Sequence, residues 1–294
     1  MPPKTKRGVV MARFDWYQAT VRSPVPVIRE CLQALGDGSR WEPLRRAPHG
    51  YGFGDRLVDA DGVVAQVWWG GVHAHPHVTL SGEVAQPGAS LLRSELPDHS
   101  VTRCDVCIDY AEPGAYDRLQ GLALGVARER RVKVGTAGDH LVTLQGRTLY
   151  LGSVSSHTRL RLYDKAFELR QKFAKDPARL AAVPGELARL ECQVRPQTPL
   201  AKVEASKVEP MVVMGSAAWM RELMRQVAGL ELHPFEARKP WRQADDDRAY
   251  AHLLAQWGGL LKRMVQSHGS WDMVGRQIGC DLAERDEAKR KGLA

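Results

Sequence analysis

The stretch Leu149–Glu168, LYLGSVSSHTRLRLYDKAFE, carries the strongest structural signal in the chain. From Thr158 to Lys165 polar and apolar residues alternate with period two, the pattern of a β-strand with one face buried. Arg159, Arg161, Tyr163 and Lys165 then share one face, and Leu160 and Leu162 take the other. A tyrosine hydroxyl among cations on the open side of a sheet suits attack on a phosphodiester. The cations favour the phenolate and also grip the phosphate. An exposed strand with a solvated basic face carries the same pattern, so alternation alone leaves both readings open.

The same period recurs elsewhere. Val101–Tyr110 (VTRCDVCIDY) sets Arg103, Asp105, Cys107 and Asp109 against Cys104, Val106 and Ile108. Leu187–Arg195 sets Arg189, Glu191, Gln193 and Arg195 against Leu190, Cys192 and Val194. From His77 to Gly82, His77, Thr79 and Ser81 oppose Val78 and Leu80. Arg13–Val21 has strand composition, and Asp59-Ala60-Asp61-Gly62 joins Tyr51–Leu57 to Val63–Trp69 as a hairpin. His140–Gln145 and Arg147–Leu151 read as a second hairpin about Gly146. Strands with one polar and one apolar face imply an antiparallel sheet with a single wet face.

Helical spacing marks Pro24–Leu35, Pro87–Leu96, Ala115–Arg131 and Ala166–Ala182. Past Pro196 strand signals fade, and Ala217–Val227, Asp245–Gln266 and Trp271–Arg290 read as helices. The expected fold class is α+β: a mainly antiparallel central sheet with helices packed on one face, then a small helical C-terminal region. The expected divisions are a flexible basic arm over 1–12, a main domain over 13–198 and the helical region over 199–294.

The 294 residues carry 42 Lys and Arg against 34 Asp and Glu, a net charge of +8 that favours a polyanionic partner. No apolar run is long enough to span a membrane, and Met1–Val10 lacks the apolar stretch of a signal peptide, so a cytoplasmic location is expected. Five cysteines, an odd number, argue against a disulfide framework. Cys104 and Cys107 form a C-x-x-C, but on a strand they face opposite ways.

If the wet faces coincide, one surface collects His77, Asp105, Glu191 and Tyr163 with Arg159, Arg161 and Arg195. Histidine with two carboxylates makes a candidate site for Mg²⁺ or Mn²⁺, which would act as a Lewis acid on a phosphodiester. Plainer readings exist for each. Asp105 would pair with Arg103 or Arg161 across strands, and Glu191 with Arg189 or Arg195. His77, beside His73 and His75, would be structural. Tyr150 and Tyr110 are rival nucleophiles, with Tyr163 preferred for its arginine row.

Thr148–Glu168, with LYLGS, then S-x-x-x-x-R-L-Y-D-K and a following Glu, resembles the replication initiation factor (Rep_trans) family. These are rolling-circle initiators of filamentous phages and small plasmids, with an HUH-like nicking-domain architecture. Asp15-Trp16, His77–Gly82, Thr102–Tyr110 and Ala188–Arg195 resemble its other segments in order, covering roughly residues 13 to 198. The resemblance implies metal-dependent nicking and rejoining of origin DNA through a covalent 5′-phosphotyrosine in a bacterial host. It makes Tyr163 the nucleophile and Asp105, Glu191 and His77 the ligands of Mg²⁺ or Mn²⁺. Arg159, Arg161, Lys165, Arg195 and Arg103 would hold DNA phosphates. Implied partners are the double-stranded origin with its single-stranded nick site, a host helicase and polymerase, and a second copy in a homodimer. No membrane partner is implied. The alternative is an origin-binding protein or repressor that does no chemistry.

Overall fold

The computed structural model describes residues 4, 5, 8, 9, 11–237 and 241–290. Two residue pairs, β1 (Lys4–Thr5) and β2 (Gly8–Val9), form a ribbon in the segment expected to be a basic arm; the rest of that expectation lies outside the described residues. The main sheet is built from β3 (Arg13–Val21), β4 (Arg40–Pro43), β5 (Phe53–Asp59), β6 (Gly62–Trp69), β7 (His77–Ser81) and β8 (His99–Tyr110). It is completed by β9 (Val134–Ala137), β10 (Thr148–Leu151), β11 (Thr158–Asp164) and β12 (Ala188–Val194). The spatial order is β4-β5-β6-β7-β3-β8-β12-β11-β10-β9, and all neighbours run antiparallel.

One face of this sheet is the core. Phe14, Tyr17, Leu80, Val106, Leu160, Leu162, Leu190 and Cys192 are all buried there, as alternation requires. Helices α1 (Val25–Gln33), α2 (Ala85–Glu95) and α3 (Ala115–Glu129) contribute Ile28 and Leu32, Leu92, and Leu119 and Val126 to it. Pro24 and Pro26 set the start of α1, where a missing N–H is no loss.

The strand at Tyr163 ends where Asp164 caps a helix. Its carboxylate accepts a hydrogen bond from the Phe167 N–H at 2.9 Å, starting α4 (Lys165–Lys172). Lys165 is therefore the first helical residue rather than the last residue of the strand. Asp176 and Pro177 then begin α5 (Pro177–Ala181), breaking the single helix expected over Ala166–Ala182.

Two expectations are corrected. The region His140–Gln145 is a loop, because Asp139 accepts the backbone N–H groups of Leu141, Val142 and Thr143 at 2.9, 2.9 and 2.7 Å. The strand pairing with β10 is β9 instead. The boundary near 198 also moves. Among the described residues, those up to 237 form one compact unit and those from 241 form another. Helices α6 (Pro199–Ala205), α7 (Pro210–Val213) and α8 (Ala218–Ala228) belong to the first, since Ala205, Val213, Met220, Leu223 and Met224 complete its core. The second unit consists of α9 (Trp241–His268) and α10 (Trp271–Arg290), with Gly269 at φ +89° between them. Among the described residues no helix is long and apolar enough to cross a membrane.

Candidate active site

Strands β3, β8, β12 and β11 bring their polar faces together on the side of the sheet away from the core. Glu191 lies opposite Arg161 on β11 and opposite Cys107 on β8, while Asp105 lies opposite Gln193. Asp105 and Glu191 are thus diagonal neighbours on one face, close enough for their side chains to share a cation.

Arg161 is that cation here. Its Nη2 donates to Glu191 Oε1 and sits 3.7 Å from Asp105 Oδ2. Arg103 grips Asp105 in a two-pronged contact, Nε to Oδ1 at 2.9 Å and Nη2 to Oδ2 at 2.5 Å. Gln193 Nε2 adds a weaker contact to Asp105 at 3.4 Å. Both carboxylates are almost completely buried. The half-buried Tyr163 donates its hydroxyl to Glu191 Oε2 at 3.3 Å.

Burial pushes the Glu191 carboxyl up to about 7, with Asp105 adding to the shift, against the opposing pull of Arg161. Burial and the Glu191 charge likewise hold the Tyr163 hydroxyl well above its ordinary value. This reverses the expectation that the arginine row favours the phenolate. Arg161 and Lys165 do approach the Tyr163 ring, at 6.0 and 5.7 Å, but their charges are paired with Glu191 and Glu168.

The other predicted phosphate contacts disperse. Arg159 stacks over Tyr150 at 4.2 Å, and Arg195 donates to the Val154 carbonyl at 2.9 Å. Tyr150 stands opposite Arg161, so the two tyrosines Tyr150 and Tyr163 are diagonal neighbours on this face.

His77 is not brought to the carboxylates. Asp105 is level with Trp16 and, through it, with Ser81 on β7; His77 is level with Thr20 and Ser100. It lies on the correct face but some 15 Å or more away by strand spacing. Its ring stacks on Trp68 at 5.2 Å, and burial lowers its pKa to about 4. A histidine kept neutral by folding contributes stability that is present above its unfolded value of 6.5 and lost as pH falls toward 4. Wild type is expected to lose up to about 3 kcal/mol over that interval through this residue. His77→Phe, which keeps a stacked ring, should remove that slope in denaturant melts across pH.

Three residues that alternation did not assign to the site adjoin it. Arg189, opposite Tyr163, bonds Asp109 through Nε at 2.6 Å and Nη2 at 2.9 Å, and Asp15 through Nη1 at 2.7 Å. Asp15 is the extra residue of a β-bulge between Phe14 and Trp16. The bulge turns Asp15 and Trp16 both toward the wet face, while Phe14 and Tyr17 both enter the core. The run Phe-Asp-Trp-Tyr, with two polar-side positions between two core rings, is the trace this leaves in sequence.

Among the described residues no three His, Cys, Asp or Glu side chains are grouped to hold a metal ion. The pair Asp105 and Glu191 nonetheless fits Mg²⁺ or Mn²⁺. Their donors are all oxygen, and Mg²⁺ is commonly held by one or two carboxylates together with water and substrate phosphate. Burial is the main cause of the raised Glu191 pKa, and the neighbouring Asp105 charge adds to it, a repulsion that a shared cation would relieve.

Among solved structures the chain is similar to the rolling circle replication initiator protein from Geobacillus stearothermophilus. The TM-score is 0.51 at 18% identity, over 76% of this chain and 98% of that one. No family model and no curated protein matches the sequence. At that identity the likeness is one of fold, and the fold is that of the initiator.

Proposed function

We propose that this protein initiates rolling-circle replication by nicking and rejoining one strand of origin DNA through a phosphotyrosine on Tyr163. The observation that carries this reading is the hydrogen bond from the Tyr163 hydroxyl to Glu191 on the polar sheet face. The fold shared with an initiator and the basic charge support it.

In the proposed reaction the Tyr163 oxygen attacks the scissile phosphorus and Glu191 accepts the phenolic proton. The P–O3′ bond breaks, the 3′ oxygen takes a proton from water, and the 5′ phosphate stays on Tyr163. Rejoining reverses these steps: a 3′ hydroxyl attacks, and Glu191 returns the proton to the tyrosine. Arg161 and Arg103 are placed to orient non-bridging phosphate oxygens if they turn from their carboxylates. Asp105 and Glu191 would hold a divalent ion, which supplies Lewis-acid polarisation of the phosphate. The rigid sheet keeps the nucleophile and base in register.

One observation favours the non-catalytic alternative. The Tyr163 hydroxyl is held protonated by burial and by Glu191, as suits a tyrosine that only binds. The test is incubation of single-stranded oligonucleotides from the encoding replicon with the full chain and Mg²⁺ or Mn²⁺, resolved on denaturing gels. A metal-dependent covalent adduct supports the enzyme. Retained DNA binding without cleavage under either ion supports the origin-binding protein.

A further inference from the structure

The wet face holds a second cluster that the proposed chemistry does not use. Trp68 on β6 lies opposite His77 on β7, and their rings stack at 5.2 Å and 16°. Two loops lay more rings against this pair. His49 and Tyr51 approach Trp68 at 5.8 and 6.0 Å, and His73 stacks on Tyr51 at 3.9 Å and 22°. Trp68 and His77 are buried, Tyr51 is half-buried, and His49 and His73 are exposed. The rings form a shelf whose floor is core and whose upper members meet solvent.

The shelf is built to stay in shape. A His73 ring nitrogen bonds the His49 carbonyl at 2.8 Å, and the Gly52 N–H bonds the Trp69 carbonyl at 3.1 Å. Gly71 has φ +69°, and a Cβ there would stand 2.1 Å from the Gly50 carbonyl oxygen, so only glycine lets the two loops meet. Stacked rings on a fixed frame lose little conformational freedom when a flat ligand joins them.

Charge selects the ligand. Residues 43–54 and 67–82 contain no Asp or Glu, while Arg45 and Arg46 are exposed and in no ion pair among the described residues. Solvent-facing rings at His49, Tyr51 and His73, with uncommitted arginines three to six residues before His49 and Tyr51 in the chain, match a single-stranded nucleic acid, whose unpaired bases stack and whose phosphates need cations. A duplex offers no such free base face. The shelf also lies on the face that carries Tyr163, roughly 30 Å along the sheet by strand spacing.

We propose that Tyr51 and His73, seated on the buried Trp68 and His77, bind an unpaired base of single-stranded DNA, with Arg45 and Arg46 on its phosphates. The proposal rests on the reading of DNA as the substrate, and it adds a second point of attachment for the strand that Tyr163 cuts.

The probes are a fluorescein-labelled oligothymidylate long enough to cover the face and an abasic strand of equal length, both read by anisotropy with the full chain. Wild type should prefer the strand with bases. His73→Ala and Tyr51→Ala should each weaken oligothymidylate binding about 5- to 100-fold and leave the abasic strand unaffected. His73→Phe and Tyr51→Phe should restore it, which a merely unfolded variant would not do. Wild-type affinity in both alanine variants, or equal losses on both strands, overturns the shelf. If wild type nicks DNA but the shelf variants bind normally, only this inference falls. If wild type binds neither strand, the reading of DNA as substrate falls with it.

Discussion

Tyr163→Phe is expected to abolish the covalent protein–DNA adduct while changing affinity for the uncut strand by no more than about twofold. The substitution removes one oxygen. That oxygen makes a single long contact, 3.3 Å to Glu191, while the ring keeps its place beside Arg161 and Lys165. Glu191 retains its tie to Arg161, so the site does not collapse around the loss. Binding energy from the basic face is therefore preserved, and only the nucleophile is lost. Denaturing gels and peptide mapping of the adduct measure the first effect; anisotropy measures the second. An adduct that survives in Tyr163→Phe would move the chemistry to Tyr150, the diagonal neighbour across Arg161. Loss of binding together with loss of adduct would instead make Tyr163 part of the DNA grip.

How far such a site can be read from sequence depends on which geometric quantity is asked for. Alternation reports the face of a strand, and it placed Tyr163, Asp105, Glu191 and His77 correctly on one surface. It does not report level along the sheet. Level is set by hydrogen-bond register between strands distant in sequence, such as Trp16 with both Asp105 and Ser81. His77 shares the face of the carboxylates and misses their level for that reason. Asp15 escaped because a bulge breaks period two at the very residue it turns toward the site. Short edge strands such as β4 and β9 carry too few residues for a periodic signal. The fading of strand signals past Pro196 was real, yet it marked a change of element rather than a change of body. Met220, Leu223, Met224 and Val227 on α8 need a core, and the core available is the one under the sheet.

Electrostatics in the site follow from the same packing. The arginine row looked sufficient to activate a tyrosine when counted alone. Folding adds Asp15, Asp105, Asp109 and Glu191 to the same few strands, and Arg13, Arg103, Arg161 and Arg189 each find a carboxylate before they find a phosphate. An interleaved network of this kind is held in place by charge-assisted hydrogen bonds and is ready to exchange partners when a polyanion arrives.

Glu191→Gln is expected to slow adduct formation by about 10²- to 10⁴-fold, the usual range for loss of a general base. Glutamine keeps the shape and leaves a polar atom facing Tyr163, but it cannot take the phenolic proton. In wild type the rate should rise with pH and level off above about 7, where Glu191 becomes ionised; in the variant the low rate should be flat through that interval. Stability gives an independent reading with the opposite sign. Glu191 titrates near 4.5 when unfolded and near 7 when folded, so the folded state binds the extra proton between those values. Wild type should therefore lose stability as pH rises from 4.5 to about 7, by up to about 3 kcal/mol relative to Glu191→Gln. Denaturant melts of both proteins across that range measure it. A site that becomes active over the same pH interval in which it becomes less stable is one where the charge serves the reaction and not the fold. Parallel melting curves with an undiminished rate in Glu191→Gln would place the proton acceptor elsewhere and leave Glu191 as a structural partner of Arg161.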